Sequence, residues 1–261
     1  MNSARIIQGL GRVPILGSAL RSLARRYREG SVVTIKHGEA AGFRWKRHHR
    51  YLNGYWIGQY ELEIQAALKR ELRAGDTFFD VGANAGFFTL LASRFVGTEG
   101  KCVAFDPLAM NQESIREQIE LNGLSHCHGV EVAISDAPGE DAFSFLSIDS
   151  ARGQLGTTAP LADSTITVKV ITLDEASERW GPPDFIKLDV EGAEGKALAG
   201  AKHLITEVRP GWLIEIHNDE CEVAVREILT AAGYQFLQVD GALIRQGSKL
   251  PHHVIARHPA R

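Results

Sequence analysis

Charged side chains lie where two predicted strands should be buried. Lys187 and Asp189 share one face of the first strand, because side chains alternate along a strand. Glu215 and His217 share one face of the second strand for the same reason. An unpaired buried charge costs several kcal/mol, so we predict parallel neighbouring strands with an ion pair between Lys187 and Glu215. Asp189 should then lie beside His217 where the strands end.

These four residues are the catalytic candidates, with Lys187 in a supporting role. A histidine oriented by a carboxylate can take the proton of a weak nucleophile such as a hydroxyl, because the pKa of imidazole lies near neutrality. Alternatively, Asp189, Glu215 and His217 could bind a divalent cation that chelates a diol and acidifies one hydroxyl. The sequence leaves both alternatives open.

A second pattern, DTFFDVGANAGFFT at 76–89, predicts a buried strand, a glycine turn and the start of a helix. Such a turn at the top of a parallel sheet often holds an adenosine-containing cofactor. Gly82 and Gly86 are four residues apart, and the central glycine that lets a backbone approach a pyrophosphate is missing. A cofactor without a pyrophosphate therefore fits better. Asp106 follows the next strand, where an acid can accept hydrogen bonds from ribose hydroxyls.

Alternating strands and helices carry these residues. Strands are predicted at 77–81, 101–105, 129–134, 184–188, 211–216, 234–238 and 253–257. Helices are predicted at 61–71, 85–95, 111–122, 172–179, 192–200 and 220–232. The segment 141–170 predicts an inserted hairpin that could cover a substrate. This alternation predicts an α/β fold, with a seven-stranded, mostly parallel sheet and helices on both faces.

Composition narrows the function classes. The chain has 261 residues and a net charge of −3, which gives no electrostatic argument for binding nucleic acid. The three cysteines are scattered, so we expect reduced thiols and a cytoplasmic protein. No apolar run approaches the roughly 20 residues of a membrane-spanning helix.

The first 28 residues carry six arginines and no acid. This pattern predicts an N-terminal helical extension that packs or is solvated, or a basic arm in peripheral contact with a membrane surface. We predict a basic extension over 1–50 and one domain over 51–261. An aromatic and basic cluster at 43–56 could pack on that domain or stack on a sugar.

Three motifs resemble the FkbM family of class I S-adenosylmethionine-dependent methyltransferases. DVGANAGFFT at 80–89 is similar to motif I of that class. DFIKLDVEGAE at 184–194, followed by LIEIH at 213–217, resembles the FkbM family itself, as does GQYE at 58–61. The resemblance covers roughly 51–255. It departs at Asp106, where a glutamate is more usual.

The resemblance implies a Rossmann-like fold with S-adenosylmethionine as the cofactor. It also implies which residues of this chain contact that cofactor. The implied contacts are Glu61, Asp80, Gly82, Ala83, Asn84, Gly86, Asp106 and Asn122, with Asp136 placed to meet the adenine amine. The implied reaction is O-methylation of a sugar hydroxyl in a glycan, glycolipid or nucleotide-sugar. Alternatives are a polyketide or other small-molecule hydroxyl or amine, or a non-catalytic partner subunit that only binds the cofactor.

Overall fold

The computed structural model describes residues 27–51, 53–146, 149–155 and 162–260. The helices are α1 (Leu62–Glu71), α2 (Phe87–Val96), α3 (Ala109–Asn122), α4 (Leu173–Trp180), α5 (Glu194–Ala199) and α6 (Asp219–Ala231). The strands are β1 (Val32–Thr34), β2 (Arg44–Lys46), β3 (Thr77–Val81), β4 (Lys101–Phe105), β5 (Cys127–Val130), β6 (Ala133–Ile134), β7 (Gly139–Leu146), β8 (Asp149–Leu155), β9 (Ser164–Ile171), β10 (Phe185–Leu188), β11 (Gly211–Glu215), β12 (Gln235–Leu237) and β13 (His253–Arg257). None of the helices in these segments combines the length and apolarity needed to cross a membrane.

A seven-stranded sheet forms the centre of the molecule, with strand order β12-β13-β11-β10-β3-β4-β5. Five neighbouring strands are parallel to one another, namely β11, β10, β3, β4 and β5. β13 runs antiparallel to both β11 and β12. The predicted mostly parallel sheet is therefore confirmed. The carboxyl ends of β3, β4, β10 and β11 meet at one edge, and β13 begins there.

Alternation of side chains gives the sheet two apolar faces. One face presents Phe79, Val103, Ile186 and Ile214, and it packs against α4, α5 and α6. The opposite face presents Phe78, Cys102, Phe185 and Leu213, and it packs against α1 and α2. Charged side chains that share the second face are therefore surrounded by apolar core, and they reach solvent only at the edge where the parallel strands end.

Local signals determine where the helices begin and end. In α4, the Thr172 hydroxyl accepts the N–H of Glu175, and the Glu175 carboxylate accepts the N–H of Thr172, which together form a capping box. The helix α3 ends at Gly123, which has φ +66°. Because such signals are local, each predicted helix begins and ends within two residues of the observed one.

The predicted strand at 129–134 is wrong. The N–H of Val132 bonds to the carbonyl of Val130, and this tight turn ends β5. The next two residues form β6, which leaves the main sheet and pairs with β9. β6, β9, β7 and β8 make a separate four-stranded sheet, so the predicted insertion is confirmed with more strands than expected.

The chain before α1 packs on the domain. Trp45 of β2 is 2% exposed, and its ring lies 5.6 Å from that of Tyr55 and 6.1 Å from that of Phe87. The aromatic cluster at 43–56 is therefore largely packing. The described residues 27–50 contain a two-stranded hairpin and no helix, and most of the arginine-rich segment lies outside the described residues. The division at residue 50 stays a prediction.

Trp45→Ala tests whether the hairpin belongs to the core. The substitution removes a buried indole, so we expect a loss of about 3–5 kcal/mol in the free energy of unfolding, measured with urea. Val32→Ala is the control, because Val32 lies on the same hairpin and is exposed; it should cost at most about 0.5 kcal/mol. Equal effects of the two substitutions would contradict the packing described here.

Candidate active site

A cleft opens at the edge where the parallel strands end. It contains about 800 Å³ of empty space, counting the part that is continuous with solvent. Its lining includes Tyr55, Tyr60, Gly82, Asn84, Asp106, Leu108, Val132, Ile134, Gly153, Leu155, Asp189, Glu191 and Glu215. The glycine turn and the charged strand ends therefore line one cleft.

The glycine turn after β3 packs closely against the backbone of the loop after β10. Gly82 has φ +78°, and a Cβ atom there would lie 1.8 Å from the carbonyl oxygen of Asp189. The N–H groups of Gly82 and Ala83 both donate to the carbonyl of Phe105, at 3.0 and 3.1 Å. Gly86 has φ +85° and packs against α3. Only glycine fits at Gly82 without displacing the loop after β10.

Asp106 is fixed by three donors inside the cleft. It accepts the N–H groups of Asn84 and Leu108, at 2.9 and 3.0 Å, and the side-chain amide of Asn111, at 3.0 Å. Burial raises the pKa of Asp106 to about 7 even though these donors act in the opposite direction. The carboxylate is therefore held in one orientation and lines the cleft beside the glycine turn, as predicted for a contact to ribose.

Asp80 and Glu61 lie behind the cleft wall. Asp80 is fully buried, and it accepts the hydroxyl of Thr89 at 2.6 Å. It lies opposite Lys187 in the pairing of β3 with β10. Burial raises the pKa of Glu61, which is near the charges of His253 and Lys187. Neither carboxylate is part of the cleft lining.

Two predicted cofactor contacts lie elsewhere. The side chain of Asn122 makes two 2.8 Å hydrogen bonds with the main chain of Arg44. Asn122 ends α3, and at 1.5 Å per residue a 14-residue helix separates its two ends by about 20 Å. Asp136 is exposed, and it accepts the hydroxyl of Ser135 at 3.0 Å. The structure does not bring either residue into the cleft.

The register of the two charged strands differs from the prediction. Lys187 pairs with Leu213, which brings Asp189 level with Glu215. The ammonium of Lys187 lies 2.8 Å from the Asp189 carboxylate, so the predicted ion pair between Lys187 and Glu215 is wrong. Burial alone would lower the pKa of Lys187, but the charges of Asp189 and Asp80 outweigh it and raise the pKa.

His217 lies at the centre of a group of carboxylates. Its Nδ1 is 2.9 Å from Oε1 of Glu194. Its Nε2 faces Asp189, Glu191 and Glu215, at 3.7, 3.5 and 3.7 Å. Burial would lower the pKa of His217, but the hydrogen bond to Glu194 and the charge of Glu191 outweigh it and raise the pKa to about 9. In the absence of another cation, His217 is therefore charged at neutral pH.

Sequence reasoning gave no catalytic or binding role to Glu191, Glu194, His252 or His253. Glu191 lines the cleft, and burial raises its pKa to about 7. Glu194 is fully buried and accepts the N–H of Gly192 at 3.1 Å. The sequence DVEGAE did carry a signal that the two glutamates belong to the site. They follow Asp189 by two and five residues, so a short loop and the start of a helix keep both close to the carboxyl end of the same strand. The two histidines reach the site only through the pairing of β13 with β11.

Aromatic rings form the remaining wall. Tyr55 and Tyr60 both line the cleft, and their centroids are 4.8 Å apart. The Tyr55 ring stacks on Phe87 at 5.4 Å, and the Tyr55 hydroxyl donates to Asn84 at 3.3 Å. This hydrogen bond connects the aromatic wall with the glycine turn.

A match to a family model shows to which protein family the chain with this cleft belongs. A family model described as Methyltransferase FkbM domain matches residues 80–236, which is more than half of the chain. The chain belongs to the FkbM methyltransferase family. The match contains the glycine turn, Asp106 and the charged ends of β10 and β11, so both ends of the cleft lie within the family domain. S-adenosylmethionine, the cofactor that the sequence resemblance implies, is therefore the methyl donor to compare with the cleft.

Solved structures with a similar fold include a methyltransferase FkbM from Methylobacillus flagellatus KT, with 16% identity and a TM-score of 0.48. The similarity covers 80% of this chain and 56% of the Methylobacillus protein, so the chain spans little more than half of that protein's length. A putative methyltransferase of Streptococcus mutans, solved with SAH, has 13% identity and a TM-score of 0.44 over 74% of this chain and 94% of that one. Aeropyrum pernix fibrillarin, with bound S-adenosyl-L-methionine, has 12% identity and a TM-score of 0.45 over 75% and 74%. No curated protein matches the chain.

The cleft of this FkbM protein fits the methyl donor. Gly82 lets the turn pack directly on the Asp189 backbone, and Asp106 presents a fixed carboxylate. Leu108, Val132 and Ile134 add an apolar surface suited to an adenine ring. When bound, S-adenosylmethionine supplies an electrophilic methyl group.

Gly82→Ala should reduce binding of S-adenosylmethionine by at least about tenfold, which is about 1.4 kcal/mol. The added methyl group would meet the carbonyl of Asp189 and displace the turn. Gly97→Ala is the matched control, because Gly97 also has positive φ but no atom within 4 Å of its Cβ position. Both variants should lose about 1–2 kcal/mol in the free energy of unfolding from the backbone conformation. Calorimetry that gives equal affinities for the two variants would contradict the role of Gly82.

Proposed function

We propose that the protein is an O-methyltransferase that acts on a sugar hydroxyl of a glycan or glycolipid. The observation that carries the proposal is the continuity of the cleft, which joins the glycine turn and Asp106 to Asp189, Glu191 and Glu215. Carboxylates can accept only hydrogen bonds when ionised, so they suit an acceptor that is rich in hydroxyl donors. Tyr60 on the other wall is only partly buried, and it offers the apolar surface on which sugar rings commonly stack.

The charge of the cleft bears on the acceptor class. Asp189, Glu191 and Glu215 all line it, whereas Lys187 is buried and paired with Asp189. Carboxylates repel a phosphate nearby, so a neutral sugar fits better than the phosphate end of a nucleotide-sugar. The same charge favours a cationic amine, which is the second candidate acceptor, although an amine must lose a proton before it can be methylated.

The reaction requires positioning and removal of one proton. A bond forms between the acceptor oxygen and the methyl carbon while the carbon–sulfur bond breaks, and the hydroxyl proton must leave. The residues of the chain align the hydroxyl with the methyl group, and this alignment supplies much of the rate enhancement. The carboxylates around His217 accept a hydrogen bond from the acceptor hydroxyl and so hold it in place.

Two routes for the proton follow from the geometry around His217. The imidazole has Nδ1 fixed by Glu194, so Nε2 is the atom that can exchange a proton with the acceptor. In the first route, the neutral fraction of His217 acts as the base together with Asp189. In the second, a divalent cation on Asp189, Glu215 and His217 acidifies the hydroxyl, and those three ligand atoms lie within 4.8 Å of one another.

His217→Ala should reduce methyl transfer by about 10²–10⁴-fold while the affinity for S-adenosylmethionine changes by less than about twofold. Transfer is measured by mass spectrometry with a neutral sugar, an amino sugar and a nucleotide-sugar as acceptors. The neutral sugar should give the fastest transfer. EDTA should abolish activity in the cation route and leave it unchanged in the base route.

His203→Ala is the control, because His203 is an exposed histidine on the chain after α5. It should retain the wild-type rate. Full activity of His217→Ala would remove this residue from the mechanism, and transfer to the nucleotide-sugar alone would overturn the proposed acceptor class.

A further inference from the structure

Two successive histidines lie beside Glu215, and the ring centroid of His252 is 5.9 Å from that of His217. The antiparallel pairing of β11 with β13 places Glu215 directly opposite His253. The two carboxylate oxygens face different rings: Oε1 lies 2.9 Å from Nε2 of His252, and Oε2 lies 3.2 Å from Nε2 of His253. All three ligand atoms lie within 4.8 Å of one another.

The orientation of His252 is fixed by the main chain. Its Nδ1 lies 2.8 Å from the carbonyl oxygen of Ile216. A carbonyl only accepts, so Nδ1 carries the hydrogen, and in the neutral ring Nε2 points a lone pair at Glu215. Histidines that bind metals are typically held in this way, with the second nitrogen donating to a carbonyl or carboxylate.

His253 has a buried nitrogen without a hydrogen bond. Its side chain is 16% exposed, and Nε2 makes no hydrogen bond in the described chain, since its contact with Glu215 lacks the required geometry. An unsatisfied buried nitrogen is costly unless it meets a partner. The lone pair of a neutral imidazole can meet a metal ion at this position.

The two spacings between Glu215 and the histidines are those of neighbouring ligands on one ion. Two neighbouring ligands at about 2.0–2.2 Å from an ion lie about 2.9–3.5 Å apart in tetrahedral or octahedral geometry. The observed 2.9 and 3.2 Å fall in this interval. The side chain of His252 is 59% exposed, so coordination positions on its side are open to water or substrate.

We infer that Glu215, His252 and His253 form a binding site for a divalent transition-metal ion. Two imidazoles and one carboxylate suit manganese, iron, cobalt, nickel or zinc, whereas magnesium and calcium prefer oxygen ligands alone. The site shares Glu215 with the group around His217. Because Glu215 lines the cleft, the ion lies at the acceptor end and can polarise an acceptor hydroxyl, a consequence that rests on the proposed function.

The test is binding of Co²⁺ to the full chain after removal of metals with EDTA. Visible absorption of Co²⁺ reports the ligands directly, and isothermal titration with Zn²⁺ gives the affinity. We expect one tight site in the wild type. His252→Ala and His253→Ala should each weaken binding by at least about tenfold, and His203→Ala should bind like the wild type.

His252→Ala keeps the inference falsifiable if His253→Ala fails to fold, because the His252 ring is mostly exposed. Wild-type affinity in His252→Ala together with lost binding in His217→Ala would place the ion in the other group and overturn the inference. Absence of tight binding in the wild type would overturn it as well. Neither measurement uses an acceptor, so a failed methyl-transfer assay leaves the result intact.

Discussion

One buried ammonium group holds the charged end of the cleft together. Lys187 lies within the sheet, opposite Asp80 on β3 and 2.8 Å from Asp189. Its Nζ also lies 5.2 Å from the centre of the Phe88 ring. Without this cation the fully buried Asp80 would face apolar core with no compensating charge, which costs several kcal/mol, and Asp189 would keep only the more distant contact with His217. The position of Asp189 in the cleft therefore depends on a residue that does not line the cleft itself.

The elements that carry local signals could be predicted from the sequence. The glycine turn after β3 is one, because its spacing and the positive φ of Gly82 and Gly86 belong to a short stretch of chain. The register of β11 against β10 could not be predicted in this way, because contacts with residues outside β11 determine it. Gly211 lies opposite Phe185, and a Cβ on Gly211 would lie 2.5 Å from that ring. The start of the strand at residue 211 was predicted, but the alternation of charges alone could not show that Gly211 lies opposite Phe185.

The other differences between the predicted and the observed site arise from contacts between residues that are far apart in the sequence. Asn122 binds the main chain of Arg44, which is 78 residues earlier, because the hairpin of β1 and β2 packs on α3. His252 and His253 reach Glu215 because the last strand returns antiparallel to β11. Motif spacing describes neither pairing. It does place the glycine turn and Asp106 in one cleft, whereas several separate segments meet at the other end of that cleft.

The contact between Gly82 and the carbonyl of Asp189 has an evolutionary consequence. The glycine turn after β3 and the loop after β10 touch through backbone atoms, with no side chain between them to absorb a change. A mutation that moves one segment must disturb the other, so neither can diverge freely. Relatives with this contact can acquire new acceptors more easily by changing the four-stranded insertion, whose Gln154 reaches the same loop through the carbonyl of Glu191. Diversity of substrates is then expected in the insertion, while the loop after β10 stays nearly constant.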